Sequence, residues 1–139
     1  MWKDMIRECR KYALPWTRPT VFPRLSTLPM RVAAMAAEEP WIGEYCRRTM
    51  LLNFARDRDI NSQEAVAEVL LELGLPAPEI LGEAQSDANK PRLREQTESA
   101  KAKGIFGAPT FFVDGEMFWG NDRLDDALAF AAQRMATPA

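Results

Sequence analysis

Histidine is absent from this 139-residue chain. Without an imidazole the chain cannot assemble a Ser-His-Asp or Cys-His catalytic group from its own residues, nor a zinc site built on histidine. Cysteine is scarce as well. Cys9 and Cys46 lie far apart, each in a stretch of helical periodicity, and fit neither a C-x-x-C pair nor a metal-ligand spacing, so they read as buried, reduced thiols. No apolar run approaches the roughly 18 to 20 residues that cross a bilayer. The opening stretch, MWKDMIRECRKYALPW, carries charges throughout where an export signal needs a continuous apolar segment, so a cytoplasmic location without a membrane partner is expected. Positive charge is not in excess: 18 lysines and arginines face 20 acidic residues, and no basic stripe is present, which argues against a nucleic-acid partner.

What is there is mostly helix-forming. A chain of this length can bury roughly two-thirds of its unfolded surface, enough for a core. Trp2, Met5, Ile6 and Cys9 recur at helical spacing over residues 2–12, followed by an extended, proline-punctuated segment over 14–23. Ser26 or Thr27 can cap a second helix that carries Leu28, Val32, Met35 and Ala36 inward as far as Glu39, with Pro29 in its first turn. A third helix over 41–57 sets Trp41, Ile42, Tyr45, Thr49 and Leu52 on one side, leaving Arg47, Arg48, Arg56 and Arg58 to face solvent. Asn61 and Glu64 have the spacing of a capping box, with Ile60 as its hydrophobic staple, and Val66, Val69, Leu70 and Leu73 form the buried stripe of the helix so started. A short helix through Ile80, Leu81 and Ala84 follows. Another runs from about Asp87 to Lys103 with Leu93, Thr97 and Ala100 inward.

The strands come last. Thr110 to Val113 and Glu116 to Trp119 are apolar and aromatic, joined by Asp114-Gly115, the pair that a two-residue type I′ turn favours. That turn pairs Val113 with Glu116, Phe112 with Met117, Phe111 with Phe118 and Thr110 with Trp119. Phe111, Val113 and Phe118 then share one face and Phe112, Met117 and Trp119 the other. A sheet apolar on both sides belongs between helix layers, which makes the expected class α/β, mostly helical. A final helix should start near Asn121 or Asp122, turn Leu124, Leu128 and Ala131 inward, and fade at Thr137.

The loop before the first strand is the informative part. Pro109 cannot donate to a ladder and pushes Ala108 toward extended geometry. If the bond between them is cis, the N–H and C=O of Ala108 point together into a cleft and can pair with a passing peptide. Asn121 and Asp122 sit at the mouth of the last helix, where free N–H groups attract a carboxylate and the Asp122 side chain can accept from an ammonium; the same residues would also serve as an ordinary helix cap. Phe106, Phe118 and Trp119 could line a pocket for an aromatic molecule, or simply be core.

GIFGAPTFFVDG, residues 104–115, continued by FWGNDRL, 118–124, resembles the C-terminal signature of the 2-hydroxychromene-2-carboxylate isomerases, relatives of kappa-class glutathione transferases and DsbA-type thioredoxin-fold proteins. The segments 2–15 and 19–31 and the helical middle also resemble that family's inserted helical domain. The resemblance implies a partial thioredoxin-like fold: a helical domain over 1–103 and a C-terminal ββα half over 104–139. It further implies glutathione as cofactor, with Ala108 pairing through its backbone, Pro109 as the cis-proline, and Asn121 and Asp122 holding the γ-glutamyl end. The activity implied is a glutathione-assisted cis–trans isomerisation of a small aromatic substrate of the hydroxybenzylidenepyruvate type. Family members begin with a β-α-β segment carrying a catalytic serine. This chain starts at a point inside or just before the helical insertion, so that half is expected to be absent, and Ser26, Ser62, Ser86 and Ser99 do not replace it. The uncovered hairpin then predicts a homodimer through the ladder edge or the bare sheet faces. A non-catalytic glutathione- or peptide-binding module is the alternative, and a thiol-disulfide oxidoreductase the weakest reading.

Overall fold

The structure, a computed structural model, describes residues 1–136. Thr137, where the last helix was expected to fade, lies outside the described residues. The chain is mostly helical with one two-stranded sheet, and it divides into two compact units, Met1–Gln96 and Thr97–Ala139.

The first unit holds α1 (Trp2–Lys11), α2 (Thr27–Met35), α3 (Ile42–Phe54), α4 (Gln63–Glu72) and α5 (Ala77–Ala84), and the boundary between the units falls within α6 (Lys90–Ala102). The core lies among α2, α3, α4 and α5, where Val32 and Leu70 are fully enclosed and Tyr45, Leu52, Val66 and Leu81 surround them. Full burial of each such aliphatic side chain contributes about 1.5–3 kcal/mol. The stripe expected on α4 is the one observed. Helix α1, by contrast, buries no residue; Trp2 holds it by edge-on contact with Phe22 at 4.8 Å and by packing on Trp16 at 5.9 Å.

Several expected boundaries shift for identifiable reasons. Helix α3 stops at Phe54 because the proline-punctuated segment takes its last carbonyls: the Thr17 N–H donates to Phe54 C=O at 2.6 Å and the Thr17 hydroxyl to Ala55 C=O at 2.9 Å. Arg24, nearly enclosed, straps the same corner by donating to Asn53 and to the Asp57 carboxylate. Asn61 does not cap α4. Ser62 does, accepting from Ala65 N–H at 3.2 Å, while Asn61 Oδ1 accepts the otherwise orphaned N–H of Leu28 at 3.0 Å. The arginines expected to face solvent do so wholly or in part, and they also form ion pairs. Arg48 joins Glu44 at 2.9 Å and Glu72 at 3.0 Å, and Arg58 clasps Glu68 with two bonds of 2.7 Å. The residues expected inward on α6 are not buried. Neither cysteine is buried either: Cys9 is half-exposed and Cys46 exposed, both as free thiols.

In the second unit, β1 (Thr110–Val113) and β2 (Glu116–Trp119) pair antiparallel in the register read from the sequence, Thr110 opposite Trp119 through Val113 opposite Glu116. Asp114 and Gly115 both take positive φ, 51° and 83°, as a type I′ turn requires. A 3₁₀ turn, Asn121–Arg123, leads into α7 (Leu124–Ala136). Helix α7 covers the face bearing Phe111, Val113 and Phe118, with Phe118 packed on Phe130 at 5.7 Å and Arg134 paired to Asp114 at 3.1 Å. Its inward residues are Ala127 and Phe130 rather than Leu124 and Leu128, which is 59% exposed. Small Ala127 lets the helix approach the strands closely enough for Phe130 to reach Phe118. The opposite face, expected under a second helix layer, is open among the described residues: Phe112, Met117 and Trp119 are all exposed.

Candidate functional site

Residues 105–109 run from the end of α6 to β1, and three contacts shape their latter part. The Thr110 hydroxyl donates to Gly107 C=O at 2.7 Å. The Gly120 N–H, just beyond β2, donates to Pro109 C=O at 3.0 Å. The Trp119 indole lies against Gly107 so closely that a Cβ there would overlap Nε1 and sit 3.1 Å from Cε2, so any larger residue would have to displace the indole. Between these fixed points is Ala108, exposed, joined to Pro109 by a cis peptide bond. Its N–H and C=O make no hydrogen bond among the described residues, so both are available to a ligand's backbone.

The same hydrogen bond from Gly120 brings the second half of the site to the first. Gly120 has φ 112° and ψ 151°, a conformation essentially reserved for glycine, and so turns the chain from β2 straight into the 3₁₀ turn. Asp122 folds back over it: a Cβ on Gly120 would lie 2.5 Å from Asp122 Oδ1. The carboxylate therefore faces the turn whose amide is held by Pro109, and its side chain is 82% exposed. Arg123 stands beside it, 4.0 Å from Asp122 Oδ2 and 3.0 Å from Asp126 Oδ2, its positive charge secured by the Asp126 hydrogen bond and by both carboxylates. Asn121 opens the turn, and its carbonyl accepts the N–H of Leu124 at the start of α7. Of the residues named from sequence, Ala108 and Pro109 thus lie on the loop and Asn121 and Asp122 on the turn, the two tied by one backbone bond.

Gly107 and Gly120 are the site-building residues that reading the sequence did not single out. The strand register already placed Trp119 opposite Thr110, but nothing local said that its indole would lie over Gly107. Three of the four serines are occupied structurally: Ser62 caps α4, Ser26 contacts Met30 Sδ and Ser86 accepts from Asn89. Cys46, though exposed as a residue, borders an apolar groove with Pro29, Met30 and Ala33, and partial desolvation there pushes its thiol up, opposite to what a reactive thiol needs. No group of residues able to hold a metal ion occurs among the described residues, and none of the helices among them is long and apolar enough to cross a membrane.

A family model described as a DSBA-like thioredoxin domain matches residues 1–130. The chain is 32% identical over 130 residues to a 2-hydroxychromene-2-carboxylate isomerase of Sphingobium xenophagum, covering 90% of this chain and 63% of that protein. It is 27% identical over 152 aligned positions to glutathione S-transferase kappa 2 of Caenorhabditis elegans, covering 99% of this chain and 68% of that protein. A solved structure of a 2-hydroxychromene-2-carboxylate isomerase superposes with a TM-score of 0.81 at 26% identity, covering 96% of this chain and 64% of that one. The chain thus spans less than two-thirds of the length of both isomerases.

Proposed function

The chain belongs to the DSBA-like thioredoxin-domain family, and we propose that it binds glutathione at Ala108, Pro109, Asn121 and Asp122 and serves a glutathione-dependent cis–trans isomerisation of a small aromatic compound. The observation that carries this reading is the Gly120 N–H to Pro109 C=O bond, which joins an unpaired backbone edge to a carboxylate at a helix mouth. A tripeptide with a zwitterionic end needs both. Ala108 offers one donor and one acceptor to the cysteinyl backbone, as an added strand would use them. Asp122 accepts from the γ-glutamyl ammonium, and the start of the 3₁₀ turn at Asn121 favours its carboxylate. Glutathione, when bound, supplies a thiol nucleophile that no cysteine of this chain is placed to supply. The chain's own part is to hold and orient that ligand. The names of the relatives, a 2-hydroxychromene-2-carboxylate isomerase and a kappa glutathione transferase, support the same reading.

Calorimetric titration of glutathione tests it. Binding is expected, and Asp122→Ala should weaken it roughly tenfold, the equivalent of about 1.4 kcal/mol, which is reasonable for one exposed charge-assisted hydrogen bond. No heat of binding at millimolar glutathione would refute the site. Binding without turnover of a hydroxybenzylidenepyruvate would assign the chain as a binding module instead.

A further inference from the structure

Between α3 and α4, inside the first unit, lies a cavity of about 190 Å³. Buried Leu52 and Val69, with half-buried Leu51, give it an apolar floor, and Arg47, Arg48 and Arg56 stand around it with Glu68 and Glu72. The acceptors nearby are nearly all taken. Glu44 receives Arg47 Nε and Nη2 at 2.8 Å each and Arg48 Nε at 2.9 Å, while the two Glu68 oxygens receive Arg58 at 2.7 Å. Glu72 Oε2 receives Arg48 Nη1 at 3.0 Å, and Oε1 lies 3.9 Å from Arg56 Nη1, too far for a hydrogen bond. Donors are left over. Arg47 Nη1, Arg48 Nη2 and the whole Arg56 guanidinium make no hydrogen bond among the described residues. Arg47, Arg48, Arg56 and Arg58 face Glu44, Glu68 and Glu72, so the network carries one positive charge in excess. A guanidinium donates only, and its planar fork fits the two oxygens of a carboxylate.

We propose that this cavity binds a small aliphatic monocarboxylate, its two oxygens taken by Arg56 and the spare N–H groups of Arg47 and Arg48, and its chain laid on Leu51, Leu52 and Val69. The charge of the network sets the class of ligand. A single carboxylate balances the one positive charge in excess, whereas a dianion such as phosphate would bring a second negative charge beside Glu68 and Glu72 and leave the apolar floor uncovered. A neutral chain of the same length would cover the floor and leave the donors without an acceptor. The site belongs to the first unit and stands independently of the glutathione reading. Arg56 is the residue to vary, because it holds no hydrogen bond of the fold, unlike Arg48, which ties α3 to α4 through Glu72.

The test uses the full chain, labelled with ¹⁵N, and follows its backbone amide and arginine Nε resonances during titration with sodium hexanoate at constant ionic strength. Butyrate, hexan-1-ol and inorganic phosphate are the comparison probes. Hexanoate should shift the signals of α3, α4 and Arg56 saturably. Butyrate, shorter by two methylenes, should bind roughly three- to tenfold more weakly, and hexanol and phosphate more weakly still. Arg56→Gln should weaken hexanoate about tenfold at an unchanged denaturant midpoint, and Arg56→Lys, which keeps the charge and loses the fork, should recover part of the loss. Raising the salt concentration should lower the affinity. No saturable shift at about 50 mM hexanoate, or shifts confined to the second unit, would overturn the proposal. So would phosphate binding as tightly as hexanoate, which would mean a positive surface and no built cavity, or an Arg56→Gln chain that is as stable as the original and binds hexanoate equally well.

Discussion

Replacing Gly120 by alanine separates the two things that glycine does. Its backbone, at φ 112° and ψ 151°, lies where a residue with a Cβ costs about 1–3 kcal/mol. That strain should speed hydrogen exchange of the hairpin amides roughly 5- to 150-fold, since every 1.4 kcal/mol is tenfold. The new methyl would also start 2.5 Å from Asp122 Oδ1. A carboxylate is the mobile end of a side chain and can rotate aside, so this contact costs less than the backbone strain, but it moves the charge off the turn. Glutathione affinity should then fall about as far as in Asp122→Ala, and the double variant should bind no worse than Asp122→Ala alone, because both changes remove the same contact. Gly82→Ala, inside α5 with no atom within 4 Å of the new methyl, is the control and should stabilise by about 0.5–1 kcal/mol. Exchange and calorimetry on the three variants check this. If Gly120→Ala leaves both exchange and affinity at their original values, or if its effect on affinity adds to that of Asp122→Ala, the placement of the carboxylate over Gly120 is wrong.

Truncating Leu70, fully buried in the core of the first unit, to alanine should cost about 2–5 kcal/mol, measured as a lower denaturant midpoint at unchanged slope. Acid should also weaken the fold. Hydrogen bonds from Arg47 and then Arg48 hold the Glu44 carboxyl at about 2, against an ordinary 4.5, and Arg24 and Arg58 likewise lower Asp57 and Glu68. Groups whose folded-state values are depressed contribute stability that is whole above about pH 4.5 and is lost as the pH falls toward about 2. Urea titrations at pH 7, 4 and 2.5 should show that loss, smaller at 1 M salt; a midpoint constant to pH 2.5 would contradict it. Cys46, its thiol raised by partial desolvation, should react slowly with a disulfide reagent at pH 7 and faster as the pH rises above 9.

The elements whose form depends on neighbours in sequence were legible beforehand. Asp114-Gly115 dictates its own positive φ values, a two-residue turn leaves one register, and the period of Val66, Val69, Leu70 and Leu73 allows one buried side. What could not be read were choices among competitors. Asn61 and Ser62 are both good caps, and Ser62 takes the task because Asn61 is drawn to the Leu28 N–H, a donor 33 residues away. Leu128 is as apolar as any inward residue, yet it faces out because small Ala127 and Phe130 fit the strands more closely. Arg48 of α3 and Arg58 beyond it could not show, from their own segment, that Glu72 and Glu68 of α4 would stand opposite. At the candidate site, sequence alone determined that Ala108, Pro109, Asn121 and Asp122 lie at the two ends of one hairpin, because strand pairing is periodic and turn chemistry is local. Only the tertiary structure decided that Gly120 bonds to Pro109, that Asp122 folds over the turn and that Trp119 rests on Gly107. Those contacts depend on atoms that approach within a few ångströms only after the chain has closed, and no local preference encodes that distance.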